Sequence, residues 1–332
     1  MTGLAGTSSR VSQLLSPAGL RALFRDMPIV PLIGLLIMLI VIGEILRPGF
    51  VSVNSATTWL RLSIPLAILA ASQTLTMLTG GIDLSVAAVA SMTGFLVATL
   101  VGSMGLGPAI VIALLCALLA GLLSGIGVGV FRVHPLIMTL GIGLVVTGLA
   151  NVWQVQRVQT GAGVPGEFRV LGVGTFFSQL PNSLLVFIPL AAIILIALHR
   201  SGYGRLLYAI GDNPIAARLS GVRSWQVLIV LYIISALLAG FAGFIYAGLT
   251  NTASVSLVDS QLLPSVAAAV IGGTSILGGR GGYGGTIVGA LILTVVTALL
   301  NGLGFREADR LILFGAIIIL FTAAYARITS ES

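Results

Sequence analysis

Ile29-Val30-Pro31-Leu32-Ile33-Gly34-Leu35-Leu36-Ile37-Met38-Leu39-Ile40-Val41-Ile42-Gly43-Glu44-Ile45-Leu46 holds a single ionisable side chain, Glu44. Wound as a helix at 1.5 Å per residue, these 18 residues reach about 27 Å, close to the roughly 30 Å hydrocarbon thickness of a bilayer. The run is not an exception. Of 332 residues, 57% are hydrophobic and 8% charged, with a mean hydropathy of +1.14. A soluble domain carries about 25% charged residues. The chain therefore reads as an all-α polytopic membrane protein with little room for a separate soluble domain.

Apolar runs fall at about 29–46, 57–78, 84–102, 108–130, 135–153, 184–199, 227–249, 262–277, 284–303 and 309–326. Several contain Gly or Pro, which membrane helices tolerate when neighbours satisfy the freed backbone. The 262–277 run is short for a crossing and is expected to be re-entrant or tilted, so about ten transmembrane helices are expected, within nine to eleven. The 1–28 segment is Gly/Ser-rich, then weakly amphipathic, and shows no cleavage site after a short apolar core. Residues 29–326 form one transmembrane domain, and 327–332 a tail.

Arginine placement orients the chain. With the N-terminus inside, Arg10, Arg21, Arg25, Arg132, Arg200, Arg205, Arg218, Arg223, Arg280 and Arg327 fall on the cytoplasmic side. Arg47, Arg61, Arg157, Arg169, Arg306 and Arg310 fall outside, nearly balanced by Glu44, Glu167, Asp259, Glu307 and Asp309. Both termini are therefore expected in the cytoplasm. The longest outside segment, 154–183, is Gly-rich and too short for a domain. A lid or an external docking surface is the expected role.

Composition excludes several functions. All 16 basic residues are Arg, and without Lys there is no Walker A loop to hold nucleotide phosphates. The charge of +7 is scattered between apolar runs and does not read as nucleic-acid binding. A lone Cys116 and two histidines, His134 and His199, exclude an intrachain disulfide and make a metal site improbable. No HExxH, GxSxG or paired inward carboxylates mark an enzyme.

Residues 204–222 are the longest polar interruption that carries helix signals. Asp212 or Asn213 suits the N-cap, Pro214 the first helical position, and Gly221 the left-handed stop. The expected helix is about seven residues and roughly 10 Å long, too short to be stable unaided. It is either an ordinary surface loop or an element held by something else.

Three further features carry candidate chemistry. In Leu78-Thr79-Gly80-Gly81-Ile82-Asp83-Leu84-Ser85, a Gly pair breaks one apolar helix, and Asp83, helped by Ser85, can cap the next. An ionisable residue at such a break is also a functional candidate. In the stretch from Ile271-Gly272-Gly273 to Gly284-Gly285, a hinge or close-packing role outweighs a phosphate cradle, because no Lys follows. Gly281, Gly285 and Gly289, like Gly121, Gly125 and Gly129, are spaced for helix contacts. Both Gly-interrupted elements fall on the inside, one per half of the chain, as in helices that flank transport sites. Polar groups within the spans, Gln73, Thr74, Thr76, Asn151, Trp153, Gln154, Tyr246, Thr250 and Asn251, either line a path for an uncharged polar solute or satisfy neighbouring helices.

Taken together, Gly80-Gly81-Ile82-Asp83-Leu84-Ser85, Tyr208-Ala209-Ile210-Gly211-Asp212-Asn213, Ala216-Ala217-Arg218-Leu219-Ser220-Gly221-Val222 and Ile271-Gly272-Gly273-Thr274-Ser275 with Gly278-Gly279 resemble a known family. It is the inner-membrane permeases of bacterial ABC importers for ribose, xylose, arabinose, galactofuranose and autoinducer. The similarity covers about residues 30–326. Branched-chain amino-acid permeases are more distant relatives.

The resemblance implies a second permease subunit, two cytoplasmic ATPase subunits carrying ATP and Mg, and a periplasmic sugar-binding protein, all at the bacterial inner membrane. It implies that the 200–225 segment docks on the ATPase through Asp212, Asn213, Pro214, Ile215, Ala216, Arg218, Leu219 and Gly221. Gln73, Gly80, Gly81, Asp83, Ser85, Asn151, Gly272 and Gly273 are the expected path or hinge residues. The expected cargo is a monosaccharide or polyol, with no cofactor or metal in this chain. The alternatives are an ion-coupled secondary transporter, which needs buried ionisable groups beyond Asp83, and an ABC permease for another small solute such as an amino acid.

Overall fold

The computed structural model describes residues 29–157 and 163–330, with side chains to residue 320. Expectations about residues 1–28, about Gly161 in the outer loop and about 331–332 lie outside the described residues. Thirteen helices run in the order α1 (Ile29–Leu46), α2 (Val53–Leu78), α3 (Val86–Met104), α4 (Leu106–Gly129), α5 (Pro135–Arg157), α6 (Gly166–Val173), α7 (Ser183–Arg200), α8 (Gly202–Asp212), α9 (Pro214–Leu219), α10 (Ser224–Thr250), α11 (Leu262–Ile271), α12 (Tyr283–Gly302) and α13 (Glu307–Ser330). A two-stranded antiparallel ribbon, β1 (Thr175–Phe176) and β2 (Leu180–Pro181), pairs Thr175 with Pro181 and precedes α7.

Eight described helices are long and apolar enough to cross a membrane: α1 to α5, α7, α10 and α12. Helix α13 adds 24 residues. The 262–277 run does not stay helical. Its helix stops at Ile271, and Gly273 follows at φ 87°, in the left-handed region that glycine tolerates. At 10 residues, α11 is about 15 Å long, half of a hydrocarbon core. Two spans begin earlier than their apolar runs suggest. Helix α2 starts at Val53, where the Ser52 hydroxyl accepts the Ser55 N–H at 3.1 Å. Helix α10 starts at Ser224.

Helix α10 is the centre of the bundle, packed on α2, α3, α4 and α6. From Ser63 to Leu78 every residue of α2 is buried, whereas α1, α5 and α7 leave Ile37, Ile45, Leu144, Leu149, Ile188 and Ile193 exposed. That outward apolar surface is what lipid requires. Lipid is as apolar as leucine, so helix association rests on close packing and interhelical hydrogen bonds. The glycine spacings serve this. A Cβ at Gly121, Gly125 or Gly129 would strike the backbone of Tyr232, Ile229 or Trp225, which brings α4 and α10 together antiparallel. Gly285 and Gly289 lie against the carbonyls of Gly272 and Ala268, which makes α11 and α12 antiparallel neighbours. Gly281 does not belong to this stripe: it precedes α12, in a turn, at φ 123°.

Polar ties complete the packing. The Ser72 hydroxyl donates to Ser235 O at 2.9 Å and the Thr93 hydroxyl to Gly240 O at 3.1 Å. The Thr74 and Thr286 hydroxyls meet at 2.7 Å.

Candidate functional site

The α2–α3 break is a buried polar knot. After Thr79 the chain turns at Gly80, φ 79°. Asp83 is 1% exposed. Its Oδ1 accepts the Ser85 hydroxyl at 2.6 Å and the Ser85 N–H at 3.0 Å, and its Oδ2 accepts the Ser235 hydroxyl of α10 at 2.7 Å. A buried carboxylate is costly unless such donors replace its water. The Gln73 side chain clamps the Asp83 backbone: its amide N–H donates to Asp83 O at 2.8 Å, and its carbonyl accepts the Asp83 N–H at 3.3 Å. Thr139 of α5 accepts the Leu84 N–H at 3.0 Å and donates to Pro135 O at 2.9 Å. Four helices, α2, α3, α5 and α10, therefore meet on residues 79–85. The expected capping of α3 by Asp83 is not what forms: Ser85 is the N-cap and no side chain caps the helix, because the Asp83 carboxylate is taken up by the turn through Ser85 and by the tie to Ser235 of α10. Tyr232, whose hydroxyl is buried with no described hydrogen-bond partner, stands beside Gly81; a Cβ there would lie 2.9 Å from that hydroxyl.

The second break, residues 272–282, is built differently. Gly273, Gly278, Gly279 and Gly281 all take positive φ. The turn is closed by Ser275 N–H to Arg280 O at 3.0 Å, and Leu277 stands 67% exposed at its tip. The two breaks touch: Gly279 N–H donates to Leu78 O at 3.0 Å.

Helix α8 seats into that junction. The 204–212 part of the expected polar interruption lies instead in the 11-residue helix Gly202–Asp212, started by the Ser201 hydroxyl accepting the Gly204 N–H at 3.0 Å. It went unread because three glycines mask its amphipathic face, with Leu207 and Ile210 inward. At its end Gly211 lies directly on Leu78 and Gly279, and a Cβ there would overlap the Leu78 carbonyl. A Cβ at Gly278 would lie 2.8 Å from Gly211 O and 3.0 Å from Gly80 N. Three backbones converge where side chains have no room. The Tyr208 hydroxyl adds a bond to Gly281 O at 2.8 Å. Burial raises the Tyr208 phenol above its ordinary range, so it remains a donor at neutral pH.

Helix α9 follows at once. Asn213, not Asp212, is its cap: the Asn213 side-chain oxygen accepts the N–H groups of Ile215 at 3.1 Å and Ala216 at 2.9 Å, while Asp212 ends α8. Pro214 occupies the first position, and Gly221 follows the end at φ 85°. The helix has 6 residues, about 9 Å. Ala217 faces inward, whereas Ile215 is 72% and Leu219 84% exposed, with Ala216 and Arg218 beside them on the open side.

Asn151 stands apart from both breaks. It is exposed and satisfied by its own helix, donating to Thr147 O at 2.9 Å. Gln73, Gly81, Asp83 and Ser85 are gathered in the first break; Gly272 packs on α12 in the second. Ser235, Thr139 and Tyr232 complete the first site and were not singled out from sequence. Ser235 and Tyr232, three apart on one face of an apolar run, were the available signal. Among the described residues no group of His, Cys, Asp and Glu is placed to hold a metal.

A many-helix bundle with outward apolar faces, paired helix breaks and a small exposed helix at one end is the architecture of a polytopic membrane protein. The chain belongs to the family described as branched-chain amino acid transport system / permease component, which matches residues 55–322. It is 35% identical over 292 residues to the ribose import permease protein RbsC of Bacillus subtilis (strain 168), covering 87% of this chain and 90% of that one. It is 31% identical over 304 residues to the fructose import permease protein FrcC of Rhizobium meliloti, covering 89% and 84%. It is 33% identical over 306 residues to the probable ABC transporter permease protein YphD of Escherichia coli (strain K12), covering 90% and 91%. No solved structure matches the chain.

Proposed function

We propose that this chain is the membrane-spanning subunit of an ATP-driven importer that moves a monosaccharide or polyol into the bacterial cytoplasm. In this reading two permease subunits pair, two ATPase subunits carry ATP and Mg, and a periplasmic binding protein delivers the solute. The ribose and fructose permeases named above support the cargo class. Arginine placement supports the orientation, with α8 and α9 at the cytoplasmic face.

The observation that carries the mechanism is the junction at Gly211. A partner docked on the exposed Ile215–Leu219 face of α9 would move α8 with it. Helix α8 bears through backbone on Leu78 and Gly279, the edges of both breaks. A short helix seated in a partner's groove is a known recognition mode, and rigid-body rocking of helices is the common form of such a response. An ion-coupled transporter needs titratable groups along a path, whereas the one buried acid among the described residues, Asp83, is bonded inside the bundle by Ser85 and Ser235.

The test is uptake of labelled ribose, fructose or polyol into proteoliposomes holding the chain alone, and with its ATPase and binding protein. Uptake that needs both partners and ATP is expected; ATP-independent uptake by the chain alone would reject the proposal. Leu219→Asp is expected to abolish co-purification of the ATPase while insertion and thermal stability stay unchanged. An intact complex would reject docking through α9.

A further inference from the structure

A cavity of about 450 Å³ lies between α9 and the adjoining ends of α4 and α10. Three arginines line it, each from a different element: Arg132 from the α4–α5 connection, Arg218 from α9 and Arg223 from the residue before α10. None of them forms an ion pair or side-chain hydrogen bond with a described residue, and no acidic residue lines the cavity. The Ser224 hydroxyl, also at the wall, is buried and has no described partner. Arg132 is held at φ 56°, in the region that favours glycine, and such strain persists only where the surroundings over-determine it.

We propose that this cavity binds the headgroup of an anionic phospholipid. Its walls are the last residues of α4 and the first turns of α10, two helices long enough to span. It therefore lies at the depth where spans leave the hydrocarbon. Trp225 at its wall is 47% exposed and Val130 50%, as suits residues at headgroup level. Guanidinium groups grip phosphate oxygens in paired hydrogen bonds, and basic pockets between helix ends accept anionic headgroups. The Ser224 hydroxyl supplies a further donor. Acidic side chains of a protein partner fit the charge but not the apolar wall, and the exposed apolar residues of α9, Ile215 and Leu219, do not line the cavity.

Native mass spectrometry of the full chain, titrated with cardiolipin and with phosphatidylcholine, tests this. Preferential retention of cardiolipin is expected. Each of Arg132→Gln and Arg223→Gln is expected to weaken it about fivefold, with only part of the affinity restored by Arg132→Lys and Arg223→Lys, which keep the charge but not the paired hydrogen bonds. Unchanged melting temperature in the variants separates lost binding from lost folding. Equal retention of both lipids, or full retention by the double Gln variant, overturns the proposal. Displacement of cardiolipin by inorganic phosphate would assign the site to a free anion and also overturn it. So would variants that keep the lipid but lose the ATPase, since the arginines would then belong to the protein partner.

Discussion

The two helix breaks have the same sequence motif of paired glycines and opposite construction. Residues 79–85 bury Gly81, Asp83 and Ser85 while Gly80 is exposed, and they are tied by side chains: Gln73, Thr139, Ser235 and the Asp83 carboxylate hold them to four helices. Residues 272–282 present four positive-φ glycines and an exposed tip at Leu277, and are held mainly by backbone and one phenol. The first is a fixed point and the second a compliant one. They are joined by a single backbone hydrogen bond, Gly279 to Leu78, and Gly211 presses on that joint. In the proposed coupling, a push from α8 would displace the compliant turn against the fixed one.

Gly211→Leu is the strongest way to break this contrast. The new side chain has no space at the Leu78 carbonyl. Overpacking costs about 1–3 kcal/mol or more where neighbours are backbone. Loss of α8 seating and of all transport is expected, read as protease sensitivity at 200–222 together with uptake. Asp83→Ala comes next. It leaves the Ser85 N–H and the Ser85 and Ser235 hydroxyls without their acceptor, and orphaned buried donors cost about 1–3 kcal/mol each. A marked fall in melting temperature is expected, with Asp83→Asn falling less because one carbonyl oxygen remains. If Asp83→Ala melts as the parent does, the first break is not a fixed point. The smallest effect belongs to the compliant turn. Tyr208→Phe removes one hydrogen bond to Gly281, worth about 1 kcal/mol. Faster hydrogen exchange is expected in 272–282 and not in 79–85.

What was readable in the sequence follows the same division. Long apolar runs, glycine spacing and the cap signals Asn213, Pro214 and Gly221 act through local chemistry, and they mark most of the spans, the contact face of α4 though not its partner α10, and α9. Helix α8 is not legible locally, because Gly202, Gly204 and Gly211 lower its helix propensity. At Gly211 the glycine is required by Leu78, some 130 residues earlier in the chain. The partners of Asp83 were hidden for a similar reason. Ser235 and Thr139 lie inside apolar runs, and only the packing of α10 and α5 on α3 brings them to the break. Asn151 shows the converse: a polar residue in a span that merely bonds its own helix.

In the proposed function, α8 transmits the partner's motion through the joint between the two breaks. Gly279→Ala tests it most directly, because Gly279 sits at φ 73° with a Cβ position 3.0 Å from Asp212 Cα, and α9 is untouched. In the reconstituted complex, ATP hydrolysis and solute uptake are measured side by side. Hydrolysis is expected to continue while uptake per ATP collapses. An unchanged ratio of solute to ATP would contradict it.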